Sequence, residues 1–169
     1  MARHAEAKRI AWSVGYEMWI FSEAVRAYSP ALRRSERFQH NLLLESVLVH
    51  ARVIYEFLFK RYNSKYPKDV RAVQFFDNPK QWKPDKSKLC PFLTDNLERM
   101  NRSLQHLSYD RITFGRNAWE IGTVASEIST AWDYFLSQLP EEQTQWLLSA
   151  LEGQRKDDEE WFLREVDSK

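Results

Sequence analysis

The sequence predicts an all-α fold, a four- to five-helix up-and-down bundle with a long central buried helix. Residues 38–62 contain neither Gly nor Pro and are long enough for about seven helical turns. In several other segments apolar residues recur at spacings of three and four, which is typical of amphipathic helices. With only 4 Gly and 6 Pro in 169 residues, the chain lacks the frequent turns of an all-β protein.

The length and composition predict one helical domain, residues 1–169, because 43% of the residues are hydrophobic and can form a core. The formal charge of +1 excludes a bulk attraction to nucleic acid, so any basic surface must be local. A single cysteine, Cys90, and a charged amino terminus without a signal-peptide core predict a cytoplasmic protein. No run approaches the ~20 apolar residues that cross a bilayer, so no membrane partner is predicted.

The first helix is predicted over residues 2–28, with a second beginning directly afterwards. Proline at position 30 interrupts helical hydrogen bonding and restricts the residue before it, so the first helix is expected to end at Ser29-Pro30. Beside its main apolar stripe lies a second stripe of Trp12, Tyr16 and Trp19. Two interpretations of this second stripe remain open, a wide core face or an oligomer face.

The second helix is predicted to run to Tyr62, and its segment 38–62 is the central helix of the bundle. This segment is apolar on more than one face, which indicates burial against several neighbours. Its charged residues Glu45, Arg52 and Glu56 are seven and four positions apart and share one stripe. Because isolated charges inside a buried helix are unfavourable, we expect these three residues to form a paired network.

Residues 63–90 are predicted to form a long irregular connection with one short helix near 70–76. Lys80, Trp82 and Lys83 belong to a basic-aromatic cluster in this connection. Such a mixture suits single-stranded nucleic acid, because bases stack on aromatic rings and phosphates pair with lysines. The alternative is a solvated loop pinned by a single tryptophan.

A third helix is predicted after Pro91, because proline is favoured in the first turn of a helix. Arg99, Arg102 and His106 are three, four and seven positions apart, which places them on one face of this helix. That face is separate from the apolar stripe of the same helix. The remaining predicted elements are helices over 117–139 and 141–154, and a tail, 155–169, that either docks as a last helix or stays loosely attached.

Several kinds of chemistry are excluded by residue type and spacing. The four histidines have no second His or Cys at ligand spacing, so neither a metal nor another cofactor is predicted. Cys90 is the single cysteine and precedes a proline, and no serine lies in a nucleophile elbow. Four scattered glycines cannot build a phosphate-binding loop.

The pattern that remains is an arginine-histidine face opposite the charged stripe of the central helix. His106 could accept or donate a proton near neutral pH, and Arg99 and Arg102 could hold the charge that develops on a phosphodiester. The charged stripe of the central helix would orient them. The alternative is structural: a solvated helix face, with Arg52 and Glu56 as an ordinary ion pair four residues apart.

The central segment VHARVIYEFLF, followed by RMNRSLQHLSYDR, resembles bacterial members of the HEPN superfamily over roughly residues 38–136. The hallmark of that family is an Arg, four to six residues and then a His, which Arg99 and His106 match with six residues between them. The resemblance implies a helical bundle and an RNA-directed protein, typically a homodimeric, metal-independent endoribonuclease of a defence or toxin-antitoxin system with a regulatory protein partner. Some HEPN-like proteins bind without cutting, and a non-catalytic helical interaction module is the alternative function.

Overall fold

The computed structural model describes residues 2–33, 37–60, 69–105 and 119–167, with side chains described over 6–31, 37–60, 69–102 and 119–158. All regular structure within these ranges is helical, which confirms the predicted all-α class. The α-helices are α1 (Ala2–Arg33), α2 (Arg37–Phe59), α3 (Lys86–Leu89), α4 (Pro91–Gln105), α5 (Ile121–Gln138) and α6 (Glu141–Asp167). Two short 3-10 helices, Ala72–Phe75 and Pro79–Gln81, precede α3. None of the described helices is both long and apolar enough to cross a membrane.

Helix α1 continues through Pro30 to Arg33, so the predicted end at Ser29-Pro30 is wrong. A proline this close to the end of a helix removes only one hydrogen bond of the last turns. Ala31, directly after the proline, is buried, so the last turn of α1 packs against the rest of the protein. The ring of Tyr28 also packs on the ring of His40 in α2, with 4.4 Å between ring centroids.

Helix α2 contacts three long helices, α1, α4 and α5, and is buried on the side that faces them. The buried residues are Val47, Leu48, Ala51, Ile54, Tyr55, Phe57 and Leu58. The outer side carries the exposed apolar residues Phe38, Leu42, Val49 and Val53. The predicted burial against several neighbours is therefore confirmed, whereas the described helices leave this outer stripe of α2 exposed.

The described part of the predicted connection, residues 69–90, packs on the core through aromatic side chains. Phe75, Phe76 and Trp82 surround Phe135 of α5, with ring centroids 5.2–6.1 Å away. The indole N–H of Trp82 donates a 2.7 Å hydrogen bond to the carbonyl oxygen of Leu58. This carbonyl lies in the last turn of α2, where backbone acceptors have no partner within the helix. Trp82 thus holds the connection and the end of α2 together.

Helix α4 begins at Pro91, as the sequence predicts, and a carboxylate from α5 caps it. Glu127 accepts hydrogen bonds from the backbone N–H groups of Phe92 at 2.8 Å and Leu93 at 2.9 Å. These are first-turn donors with no acceptor inside the helix, and a negative charge is favourable at that end. Glu127 is only 9% exposed, so this contact between α5 and α4 is sheltered from water.

The last helix is longer than the sequence predicts. A short helix was expected over 141–154 and a separate tail over 155–169, whereas α6 is continuous from Glu141 to Asp167. Gly153 lies inside this helix without ending it, and Gln154 is buried directly after it. A glycine in a helix interior costs only about 1 kcal/mol, which the packing of α6 against α1 can offset.

Helices α1 and α6 approach closely at Gly15. A Cβ atom at this position would lie 2.9 Å from the Cβ of Ala150 and 3.1 Å from the backbone nitrogen of Leu151. Real Cβ atoms do not approach other atoms this closely, and neither neighbour is the flexible end of a long side chain. Gly15 therefore allows the two helix backbones to pack directly on each other.

Substitution of Gly15 by alanine is expected to lower the free energy of unfolding by about 1–3 kcal/mol, because overpacking forces the two helices apart. Gly122→Ala is the matched control, since a Cβ there meets nothing within 4 Å. The control is expected to be neutral or to stabilise by up to about 1 kcal/mol through helix propensity. Urea unfolding of both variants measures the difference. Equal stability of the two variants would show that α1 and α6 are not in close contact.

Candidate functional site

Arg99 of α4 is held against the indole ring of Trp119. Its guanidinium carbon lies 4.0 Å from the centroid of the Trp119 ring. Trp119 also meets Phe92 of α4 edge-on, with 6.5 Å between ring centroids, so the indole ring is itself fixed on this helix. Partial burial lowers the pKa of Arg99 from its ordinary value. The guanidinium remains charged, because an arginine pKa lies several units above neutral pH.

Arg102 lies one turn further along α4 and is exposed to solvent. Its side chain is 45% exposed and pairs with Glu98 four residues earlier. Arg99 and Arg102 thus lie on the same helix, where Arg99 stacks on an aromatic ring and Arg102 forms an ion pair. His106, the third residue of the predicted catalytic set, lies outside the described residues.

The charged stripe of α2 is brought together only in part. Arg52 Nε donates to Glu56 at 3.3 Å, and Lys60 Nζ donates to the same carboxylate at 2.8 Å. Burial alone would raise the pKa of Glu56, but the hydrogen bond and positive charge of Lys60, joined by Arg52, lower it overall. Glu45 is exposed to solvent, so the expectation of a charged stripe buried inside α2 is wrong at that position.

Arg52 and Glu56 line a cavity of about 430 Å³ between α1, α2 and residues 69–71. Glu17 of α1 lies on the same cavity and accepts a 2.7 Å hydrogen bond from Nδ1 of His50. Helix α4 meets α2 elsewhere, where the hydroxyl groups of Tyr55 and Thr94 are 2.9 Å apart. Arg52 and Glu56 therefore belong to a second polar site, formed with α1.

The residues of the basic-aromatic cluster differ in their exposure to solvent. Lys80 and Lys83 are exposed, whereas Trp82 is 6% exposed and its ring stacks on Phe76 with 5.5 Å between centroids. The prediction that Trp82 stacks on a nucleic-acid base is therefore corrected, because the core occupies its ring. The structure matches the alternative, a loop pinned by one tryptophan.

Cys90 has no properties of a reactive thiol. It is fully buried, and burial, together with the nearby Glu127 carboxylate, raises its pKa to about 12. The thiolate is the nucleophilic form of cysteine, so this side chain is unreactive near neutral pH. Over the described ranges no three His, Cys, Asp or Glu side chains converge as metal ligands.

Several functional candidates were missed by the sequence analysis. Glu17, Asp69 and Arg71 line the cavity, but they come from two distant segments whose approach no local pattern indicates. The role of Glu127 could have been predicted from the sequence. It lies three residues after Val124 and one before Ile128, on the core stripe of α5, where a carboxylate needs a partner.

Comparison with known proteins gives no relative from which a role could be transferred: no family model, curated protein or solved structure matches the chain.

Proposed function

We propose that the chain is a cytoplasmic, RNA-directed protein of the HEPN-like type, with α4 as the helix that contacts RNA phosphates. The observation that carries this proposal is the stacking of the Arg99 guanidinium on the Trp119 ring at 4.0 Å. Stacking fixes the plane of a guanidinium, and a planar guanidinium matches the geometry of phosphate oxygens. Arg102, exposed one turn away, adds a second cation along the path of an RNA backbone.

The reaction proposed for this helix is metal-independent cleavage of a phosphodiester. His106 exchanges the proton in this proposal, because imidazole titrates near neutral pH. Arg99 and Arg102 stabilise the negative charge on the phosphoryl oxygens. Arg52 and Glu56 lie on the cavity beside α1, so the proposal assigns the phosphate contacts to α4 alone.

Cleavage of a mixed pool of labelled RNA in the presence of EDTA tests the catalytic part of the proposal. We expect the wild type to cut the pool and His106→Ala to leave it intact. Arg26→Ala is the control, because Arg26 is an exposed arginine of α1 whose ion pair with Glu23 is local. Cleavage by the His106→Ala protein, or no cleavage by folded wild type, would contradict the ribonuclease activity.

The second candidate function is a non-catalytic helical interaction module, and the outer stripe of α2 favours it. Phe38, Leu42, Val49 and Val53 are all exposed, with Phe38 at 78%. Exposed apolar side chains that follow one helix face often mark a surface that another chain covers. The same stripe is the surface we assign to the homodimer, or to a regulatory protein partner in its place.

Sedimentation velocity of the Leu42→Glu/Val49→Glu double variant tests this surface. We expect the wild type to sediment as a dimer and the double variant as a monomer, because two charges cannot be buried at an apolar interface. Asn41→Glu is the control, since this exposed position lies next to the stripe on α2. A wild-type monomer, or a double variant that remains dimeric, would exclude the α2 stripe as the dimer surface.

A further inference from the structure

The exposed apolar residues on the outer stripe of α2 are spaced symmetrically along the helix. They follow one another at intervals of four, seven and four positions, as Phe38, Leu42, Val49 and Val53. The spacing is therefore the same when it is read from either end, and its centre lies between Glu45 and Ser46. At about 100° per residue, the four side chains lie within about 60° of one another around the helix.

A stripe with this symmetry matches a second copy of itself in the antiparallel orientation. In a two-fold dimer each surface meets the same surface of the partner, so a contact from residue i to residue j is repeated from j to i. With the two-fold axis beside residues 45 and 46, Leu42 lies level with the partner's Val49, and Phe38 lies level with the partner's Val53. Every exposed apolar side chain of the stripe then meets another one. A shift of one helix along the other by one turn would leave at least two of the four without an apolar counterpart.

The charged residues beside the stripe favour the antiparallel orientation over the parallel one. Glu45 and Arg52 lie on the same side of the stripe, about 20° apart around the helix. Side chains on a helix point toward its N-terminus, so in an antiparallel pair Glu45 and the partner's Arg52 lean toward each other. In a parallel pair each of these residues would face its own copy, and like charges that face each other are unfavourable. The two Glu45 side chains are neighbours in both orientations, but only the antiparallel one brings an arginine to each.

We propose that the protein forms a two-fold homodimer in which α2 packs antiparallel on α2 of a second copy, with Leu42 opposite the partner's Val49. The proposal rests on the dimer surface assigned to this stripe above and adds its orientation and register. Val53 is 42% exposed and lines the cavity beside α1, so the partner's Phe38 lies at the edge of that cavity. Arg52 keeps its hydrogen bond to Glu56, which uses Nε, while it pairs with the partner's Glu45.

Disulfide formation between two cysteine variants tests the register. In the antiparallel pair, Leu42→Cys of one subunit lies opposite Val49→Cys of the other. Two copies of either variant are about 10 Å apart along the helices, which is too far for a disulfide. We expect an equimolar mixture, exchanged under reducing conditions and then oxidised, to give a linked heterodimer on a non-reducing gel, and each variant alone to remain unlinked. The wild type is the control, because its single cysteine, Cys90, is fully buried.

The other outcomes of this experiment are distinguishable. Linkage of each variant with itself would indicate a parallel pair and overturn the proposal. A wild-type dimer whose cysteine mixture does not link would overturn the register while leaving the dimer in place. A wild type that sediments as a monomer would overturn the dimer surface as well. The RNA contact proposed for α4 is measured separately, by RNA binding, and does not depend on any of these results.

Charge reversal tests the contact between Glu45 and Arg52. Glu45→Arg alone sets two positive charges against each other, and Arg52→Glu alone sets two negative ones, so each is expected to raise the dimer dissociation constant at least tenfold. An equimolar mixture restores both opposite-charge contacts and is expected to sediment as a heterodimer. Asp133→Arg is the control, since this exposed carboxylate lies on α5, and it should leave the dissociation constant unchanged. A mixture that associates no more tightly than either variant alone would overturn the antiparallel pairing. If Arg52→Glu fails to fold, the cysteine mixture decides the question.

Discussion

Glu127→Ala is expected to lower the free energy of unfolding by about 3 kcal/mol, because two buried backbone donors lose an ionic acceptor together. The carboxylate accepts from Phe92 and Leu93 at 2.8 and 2.9 Å. Neither N–H group has another acceptor within α4, since both lie in its first turn. Alanine at this position also removes the favourable negative charge at the start of the helix. Denaturation in urea with circular dichroism measures the change.

Two further variants distinguish capping from general effects of charge on α5. Glu127→Gln retains one carbonyl acceptor but turns its amide N–H toward the second donor, so it is expected to recover only part of the loss. Asp133→Ala removes an exposed carboxylate from the same helix and is expected to change stability by less than about 0.5 kcal/mol. A loss for Asp133→Ala as large as that for Glu127→Ala would contradict the capping role.

Trp82→Ala is expected to cost about 3–5 kcal/mol, the usual range for removing a buried tryptophan. The ring packs on Phe76 and Phe135 with centroids 5.5 and 5.2 Å away. Its N–H group also satisfies the carbonyl oxygen of Leu58 in the last turn of α2. Loss of the ring would therefore leave a cavity in the aromatic core and an unpaired acceptor. Urea unfolding of the variant checks the size of the effect.

Trp82→Phe separates the two contributions. Phenylalanine retains much of the aromatic packing but cannot donate to Leu58, so it is expected to cost about 1–2 kcal/mol. Lys83→Ala is the control at the next residue, where the exposed side chain contributes within about 0.5 kcal/mol. If Trp82→Ala were as stable as this control, Trp82 would not pin the connection to the core.

The helices themselves were predictable because their signals are local. Apolar spacing located α2, α4, α5 and α6, and proline at the first helical position located the start of α4 at Pro91. The predicted end of α1 at Pro30 was wrong, because the tendency of proline to end a helix describes a helix in isolation. In the structure, α1 continues through Pro30 and its last turn includes the buried residue Ala31. The sequence left open whether residues 155–169 are helical, because the polar stretch after residue 154 gives no apolar spacing to follow, and α6 continues to Asp167.

The polar sites were less predictable because they depend on which helices meet. The four-residue spacing of Arg52 and Glu56 predicted their ion pair. It did not predict that this pair lies beside Glu17 of α1, which depends on how the helices pack. Arg71 lies in an irregular segment without periodicity, so its burial arises from tertiary structure alone. Arg99 was assigned to phosphate by its spacing, whereas its contact with Trp119 appears only in the structure.

The central functional claim is that α4 contacts RNA, and fluorescence anisotropy with a labelled single-stranded RNA of mixed sequence tests it most directly. We expect the wild type to bind with an affinity that falls as salt rises. The Arg99→Gln/Arg102→Gln double variant should bind at least tenfold more weakly, with a shallower salt dependence, while Arg26→Gln retains wild-type affinity. Circular dichroism confirms that each variant is folded. No binding by the folded wild type, or unchanged binding by the double variant, would contradict the claim.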